Sequence, residues 1–170
     1  MLDQYISLSN CFNVTNSTTL ANDLTKLEIH ENHKMISFDI KDLYVNIPID
    51  ETLNIVKSKL LKNNNIQKTY QMLSLLKVIL SQNYFMFWQN IYQTAQGISM
   101  GSPISSLIAK IFLQRYEEAT IKQLLGMKSI ALYARYVDDI LVIYDTTKIN
   151  LHTINTYIKK IHNNIKPNPT

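Results

Sequence analysis

Two adjacent aspartates, Asp138 and Asp139, constrain the fold of this chain more than any other feature of its sequence. They lie between the apolar runs Ile130 to Ala134 and Ile140 to Tyr144, a pattern that predicts a β-hairpin with carboxylates at its tip. Two like charges on a tight turn repel each other unless a cation neutralises them. We infer that the cation is magnesium and that the chemistry is phosphoryl transfer. The alternative is a solvated turn without a function.

A second acidic element lies upstream, where the apolar run Met35 to Phe38 ends in Asp39 and is soon followed by Tyr44. Such a run predicts a strand that ends in a carboxylate. The aspartate turn therefore has a candidate partner on another strand.

The third element, residues 96–105, lies between the other two and holds two of the three glycines in the chain, Gly97 and Gly101. Glycine suits backbone that takes positive φ or approaches another molecule closely. Ser102 and Pro103 then form a predicted N-cap and first residue of a helix that extends to Leu124. The alternative is an ordinary helix start that happens to contain glycine.

Together and in this order, the three elements resemble motifs A, B and C of a reverse transcriptase palm domain. The resemblance extends from about Asn16 to Lys166, and within the family residues 37–48 and 100–103 are most similar to Penelope-like retroelements. It implies an α+β fold, a split β-α-β (ferredoxin-like) antiparallel sheet with helices on one face and an inserted β-hairpin.

The resemblance also implies two-metal nucleotidyl transfer, in which carboxylates hold two Mg²⁺ ions and Mn²⁺ can substitute. On this basis Asp39, Asp138 and Asp139 are the predicted catalytic residues and metal ligands, and the carbonyl oxygen of Ile40 is a further ligand. Aspartates suit this role because magnesium prefers hard oxygen ligands.

Further site residues follow from the same resemblance. Tyr44 would exclude a ribose 2′-hydroxyl by steric collision and so favour deoxynucleotides, although a core tyrosine is the alternative. The other predicted residues are Gln96 and Gly97 for the nucleotide, and Met100, Gly101, Ser102, Pro103 and Tyr136 for the template and primer path. The implied partners are an RNA template, a DNA primer and deoxynucleoside triphosphates.

The composition agrees with this assignment without establishing it. The chain has 170 residues, 46% apolar and 18% charged, and a net charge of +4 that suits a polyanionic partner. No apolar run reaches membrane-spanning length, and the N-terminus lacks a signal-peptide pattern, so we expect no membrane association and an intracellular location, nuclear or cytoplasmic. The sequence does not predict an oligomeric state.

The chain divides into a poorly ordered lead-in (1–17), a partial reverse transcriptase domain (18–166) and a tail (167–170). Because Pro167 and Pro169 occupy the position where a strand should pair beside Asp39, we expect that sheet edge to be open or irregularly covered. The predicted segments are helices near 18–27, 50–60, 69–82, 103–124 and 150–163, a strand at 35–39, and a core hairpin from Tyr84 that turns at Gln89-Asn90. For the aromatic run from Tyr84 to Trp88, a base-stacking platform is the disfavoured alternative.

The remaining charged residues are assigned no firm role by the sequence. Asp42 is expected to face solvent. For Lys41, Lys110 and Arg135 a solvated surface charge is favoured, and contact with phosphate is the alternative. The histidines lack zinc-ligand spacing.

The short flanks of Asp39 and Asp139 leave no room for the fingers and thumb of a complete reverse transcriptase. We therefore expect an RNA-directed DNA polymerase palm fragment from a retroelement, weak or inactive as an isolated chain. An inert nucleic-acid-binding remnant of a transposable element is the alternative. An RNA-directed RNA polymerase is disfavoured by Tyr44 and by Tyr-Val-Asp-Asp where Gly-Asp-Asp would be usual.

Overall fold

A computed structural model describes residues 6, 12–62 and 64–169 of the chain. The chain forms two compact units: Asp42–Phe112 belong to the first, and the second combines a segment ending at Lys41 with one beginning at Leu113. In chain order the elements are α1 (Ser17–Thr25), β1 (His33–Lys41), α2 (Leu43–Asn46), α3 (Ile49–Leu60), α4 (Ile66–Ser81), β2 (Tyr84–Phe87), β3 (Asn90–Gln93), α5 (Ser105–Gly126), β4 (Ile130–Tyr136), β5 (Asp139–Asp145), α6 (Leu151–Lys159) and β6 (Lys166–Pro169).

The second unit is built on a four-stranded antiparallel sheet with the strand order β4-β5-β1-β6. β4 and β5 form the hairpin that the sequence predicted, and β5 pairs along its whole length with β1, from His33 opposite Asp145 to Asp39 opposite Asp139. Phe38, Ile40, Ile140 and Val142 on the two central strands are almost fully buried. Mixed helices with an antiparallel sheet confirm the α+β class.

The prediction of an open or irregular edge beside Asp39 was wrong. β6 pairs with β1 in antiparallel register from Lys166 opposite Lys41 to Pro169 opposite Phe38, so residues assigned to a tail belong to the sheet. β6 is an edge strand, and its two prolines are two residues apart. Because backbone groups alternate sides along a strand, both missing N–H groups can point away from β1.

Part of the predicted lead-in is also ordered against the sheet. Phe12 is buried, and its ring meets that of Tyr133 edge-on at 5.5 Å between centroids. The backbone N–H of Val14 donates to the carbonyl of Arg135 at 2.8 Å, which extends the β4 edge. Residues 1–5 and 7–11 of the predicted lead-in lie outside the described residues.

Asparagine side chains cap three of the helices, α1, α4 and α6, and each of these begins within a few residues of its predicted start. Asn65 accepts a hydrogen bond from the N–H of Lys68 at the start of α4, and Asn150 accepts one from Thr153 at the start of α6, both at 2.8 Å. Such caps satisfy N–H groups that the first turn of a helix leaves without a partner. α3 differs, because its N-cap is Pro48, which makes no side-chain hydrogen bond, and the helix begins at Ile49, one residue before the predicted start.

The hairpin β2–β3 in the first unit was predicted to be a core hairpin, and this was wrong. Every residue of both strands is exposed, and Trp88 at the turn is 83% exposed. The turn residues are Trp88 and Gln89, with φ of 48° and 63°, one residue earlier than predicted. Positive φ at both central positions is the geometry of a type I′ turn, which matches the twist of the two strands that it joins.

No helix among the described residues is both long and apolar enough to cross a membrane.

Candidate active site

The turn between β4 and β5 carries the paired aspartates. Tyr136 pairs with Asp139, so Val137 and Asp138 are the two residues of the turn. Val137 has φ of 55°, in the left-handed region that a β-branched residue rarely adopts. The turn is therefore held in a conformation that its own sequence does not favour.

The strand register brings the upstream aspartate to this turn. Asp39 on β1 lies directly opposite Asp139 on β5, and the N–H of Ile40 donates to the carbonyl of Asp138 at 3.0 Å. Directly opposite residues of antiparallel strands direct their side chains to the same face, with Cβ atoms roughly 4.5–5.5 Å apart. Asp39 and Asp138 are half-buried and Asp139 is exposed. The predicted carboxylates are thus adjacent, and Asp39 and Asp139 share one face of the sheet.

Two lysines lie on that same face beside the aspartates. Lys41 and Lys166 are directly opposite each other on β1 and β6, and Lys41 is two residues from Asp39. Because side chains alternate along a strand, residues two apart share a face. The end of the sheet therefore presents both carboxylates and ammonium groups, a combination suited to a cation together with a phosphate.

The carboxylate set fits magnesium by donor type and by register. Like charges directly opposite each other on neighbouring strands are destabilising, and a cation would relieve that repulsion. Among the described residues, no three His, Cys, Asp or Glu side chains are already grouped to hold a metal. Magnesium is usually bound by one or two carboxylates with water and substrate phosphates rather than by an all-protein cage. Asp39 and Asp139 meet that requirement.

Below the turn lies a buried polar cluster that the sequence did not predict. Arg135 was expected to be a solvated charge, yet its side chain is 2% exposed and pairs with Glu117 of α5, which is 1% exposed. Tyr133 donates its hydroxyl to Glu117 at 2.7 Å. Burial, and then the Glu117 carboxylate, raise the pKa of Tyr133 well above its ordinary value, so the phenol remains a donor. The signal available in the sequence was the arginine three residues before Asp138.

The predicted nucleotide-binding residues lie in the first unit. Gly97 has φ of +78°, and a Cβ placed on it would lie 2.6 Å from the carbonyl oxygen of Tyr44 and would overlap the backbone of Val45. The N–H of Ile98 donates to that same Tyr44 carbonyl at 2.8 Å. Glycine is therefore required where this loop meets the segment that carries Tyr44. Tyr44 is half-buried and Gln96 is exposed.

The segment predicted to shape the template path ends in a turn that leads into α5. Ser105 starts α5, donates its N–H to the carbonyl of Ser102 at 3.1 Å and donates its hydroxyl to that of Ser99 at 2.6 Å. The predicted start at Ser102 and Pro103 is therefore slightly early. Met100, Gly101 and Pro103 are exposed, and so is Tyr136. Asp42 is also exposed, as expected.

The family of this chain is shown by a match that extends over nearly its whole length. Residues 5–168 match the family described as reverse transcriptase (RNA-dependent DNA polymerase). The chain belongs to the reverse transcriptase family. No curated protein matches this reverse transcriptase chain significantly.

Solved telomerase structures share the fold of this reverse transcriptase chain. Apo telomerase from Candida tropicalis, truncated from its C-terminal domain, has a TM-score of 0.65 and 15% identity, covering 93% of this chain and 36% of that one. Telomerase from Candida albicans, in complex with a TWJ fragment of telomeric RNA, has a TM-score of 0.69 and 13% identity, covering 92% and 31%. The chain thus spans about a third of the length of these structures.

Proposed function

We propose that this chain carries the palm of an RNA-directed DNA polymerase that adds deoxynucleotides to a primer 3′-hydroxyl on an RNA template, with magnesium as cofactor. The observation that carries the proposal is the register of β1 and β5, in which Asp39 lies opposite Asp139 and Ile40 binds the Asp138 carbonyl. A Penelope-like origin and a split β-α-β arrangement of the sheet are part of the same proposal.

In the reaction, the primer 3′-oxygen forms a bond to the α-phosphorus of the nucleotide, and the bond from that phosphorus to pyrophosphate breaks. Two Mg²⁺ ions, or Mn²⁺ in their place, would activate the hydroxyl and stabilise the leaving group. Asp39, Asp138 and Asp139 would hold them, with the Ile40 carbonyl as a further ligand.

The other residues of the proposal position substrate. Lys41 and Lys166 share a face with Asp39, and ammonium groups there would favour the triphosphate as point charges. Tyr44 would exclude the 2′-hydroxyl of a ribonucleotide, and Gln96 and Gly97 would contact the nucleotide. Met100, Gly101, Ser102, Pro103 and Tyr136 would border the template and primer. The RNA bound by telomerase from Candida albicans is consistent with a nucleic acid partner.

Primer extension on an RNA template tests the proposal, using the purified chain and any longer protein whose reading frame contains it. We expect the longer protein to incorporate deoxynucleotides in a reaction that requires Mg²⁺ or Mn²⁺, and the isolated chain to do so weakly or not at all. In the longer protein, Asp138→Asn should lower the rate at least about a hundredfold, about 2.7 kcal/mol in activation free energy.

The matched control is Asp42→Asn, which removes an exposed acid at φ of 53°, a conformation that asparagine tolerates. It should retain the rate of the unchanged protein. Equal extension by the Asp138→Asn and unchanged proteins would refute the assignment.

A further inference from the structure

The side chain of Arg135 joins the buried cluster to the aspartate turn. Its Nε and Nη2 atoms donate to the two carboxylate oxygens of Glu117 at 2.5 and 3.1 Å, a bidentate pair. The remaining Nη1 donates to the carbonyl of Val137 at 3.0 Å. Val137 is the turn residue with positive φ, so the guanidinium holds the strained peptide directly.

The backbone of Arg135 is fixed as well. Its N–H donates to the carbonyl of Phe12 and its own carbonyl accepts from Val14, both at 2.8 Å. The guanidinium is planar and its donors form a rigid fork, so fixing the backbone of Arg135 also restricts the positions of the groups that accept its hydrogen bonds. Arg135 therefore links α5, the N-terminal segment and the aspartate turn.

Stability alone does not account for such a pair. Removing two charges from water costs several kcal/mol per ion, and apolar residues of similar volume are often as stable or more so in place of a buried pair. A polar cluster with both carboxylate oxygens and the tyrosine hydroxyl satisfied instead specifies one local arrangement. What that arrangement fixes here is the carbonyl of Val137.

We propose that Arg135, held by Glu117, is a positioning residue that fixes the aspartate turn. The fixed Val137 peptide orients Asp138, whose carbonyl accepts from Ile40 and so keeps the turn aligned with Asp39. The catalytic consequence of this inference rests on the proposed function, whereas its structural consequence does not.

The test uses a variant that removes the clamp without leaving a buried charge: Arg135→Met, Glu117→Met and Tyr133→Phe combined. Because the replacements are apolar and of similar size, we expect it to fold with a thermal midpoint at or above that of the unchanged protein. Arg115→Met, which removes an exposed arginine from the same helix as Glu117, is the control for lost charge.

The first readout is amide hydrogen exchange of Ile40, whose N–H binds the Asp138 carbonyl. We expect protection at Ile40 to fall about tenfold or more in the triple variant and to remain unchanged in Arg115→Met. The amide of Val142, in the middle of β5, should keep its protection in both. Adding Val137→Gly to the triple variant should restore much of the protection at Ile40, because glycine adopts positive φ without strain.

The second readout is the rate of primer extension by the longer protein that contains this chain. We expect kcat to fall about tenfold or more in the triple variant with KM for the nucleotide unchanged, and Val137→Gly to recover part of the loss. A folded triple variant with unchanged exchange at Ile40 would overturn the inference. Loss of protection at Ile40, together with no primer extension by the unchanged longer protein that contains this chain, would support the clamp and reject the proposed function.

Discussion

At the scale of single residues, the two glycines of the segment before α5 meet different structural requirements. Gly97 combines positive φ with a close approach to the backbone of Tyr44 and Val45, whereas Gly101, at φ of +93°, has open space around it. The sequence showed only that both glycines stood where a bend was needed. Which one also allows two backbones to meet depended on the packing.

This difference predicts unequal effects of alanine. Gly97→Ala should lower the free energy of unfolding by about 2 kcal/mol or more, because it adds a steric overlap to backbone strain. Gly101→Ala is the matched control and should cost about 1 kcal/mol, from strain alone. Urea denaturation followed by circular dichroism measures both. Equal losses would show that the contact between Gly97 and the Tyr44 segment does not form.

Asp145 at the end of β5 predicts a loss of stability in acid. Hydrogen bonds from Thr147 above all, with Lys148 and Asn32 contributing, hold the pKa of this carboxyl well below its ordinary value of 3.8. Below that value the unfolded chain takes up a proton that the folded chain does not, so the stability given by Asp145 is lost as pH falls. We expect unfolding free energy to decrease more steeply below pH 3.8 in the unchanged protein than in Asp145→Asn. Parallel curves would contradict this.

At the scale of elements, periodicity predicted where helices and strands lie better than which side they bury. In α4 apolar residues recur at helical spacing, but Leu75 and Ile79 are exposed, whereas Leu76 and Leu80 are buried. In a helix with apolar residues on several sides, the pattern does not select the buried side. The predicted burial of the hairpin β2–β3 was wrong for a similar reason, because its aromatic run is compatible both with a buried and with an exposed strand.

The exposed hairpin predicts that its tryptophan contributes little to stability. Trp88→Ser should change the free energy of unfolding by about 0.5 kcal/mol or less, whereas Leu76→Ala, at a buried site in the same unit, should cost about 2–5 kcal/mol. Because Trp88 is the only tryptophan in the chain, its fluorescence should be readily quenched by iodide. Tryptophan fluorescence that iodide does not quench would indicate that Trp88 is covered in solution.

At the scale of the whole molecule, the net charge of the chain predicts the salt dependence of the proposed nucleic acid binding. The net charge is +4, and lysine binds phosphate as a point charge without reading bases. We expect binding to an RNA–DNA duplex with little sequence preference and with affinity that falls steeply as KCl rises from about 50 to about 200 mM. Fluorescence anisotropy measures this, and affinity independent of salt would exclude an electrostatic mode of binding.

The sequence by itself determined the two acidic elements and the glycine-containing element between them. It also determined their order, the β4–β5 hairpin and the reverse transcriptase family. These are local features, because alternation, turn residues and motif spacing are properties of short segments. Tertiary structure decided the pairing of Asp39 with Asp139, the burial of Arg135 against Glu117 and the addition of β6 to the sheet. Each of these joins residues far apart in the chain, and whether a charge or a proline can be accommodated there depends on the partner that folding brings to it.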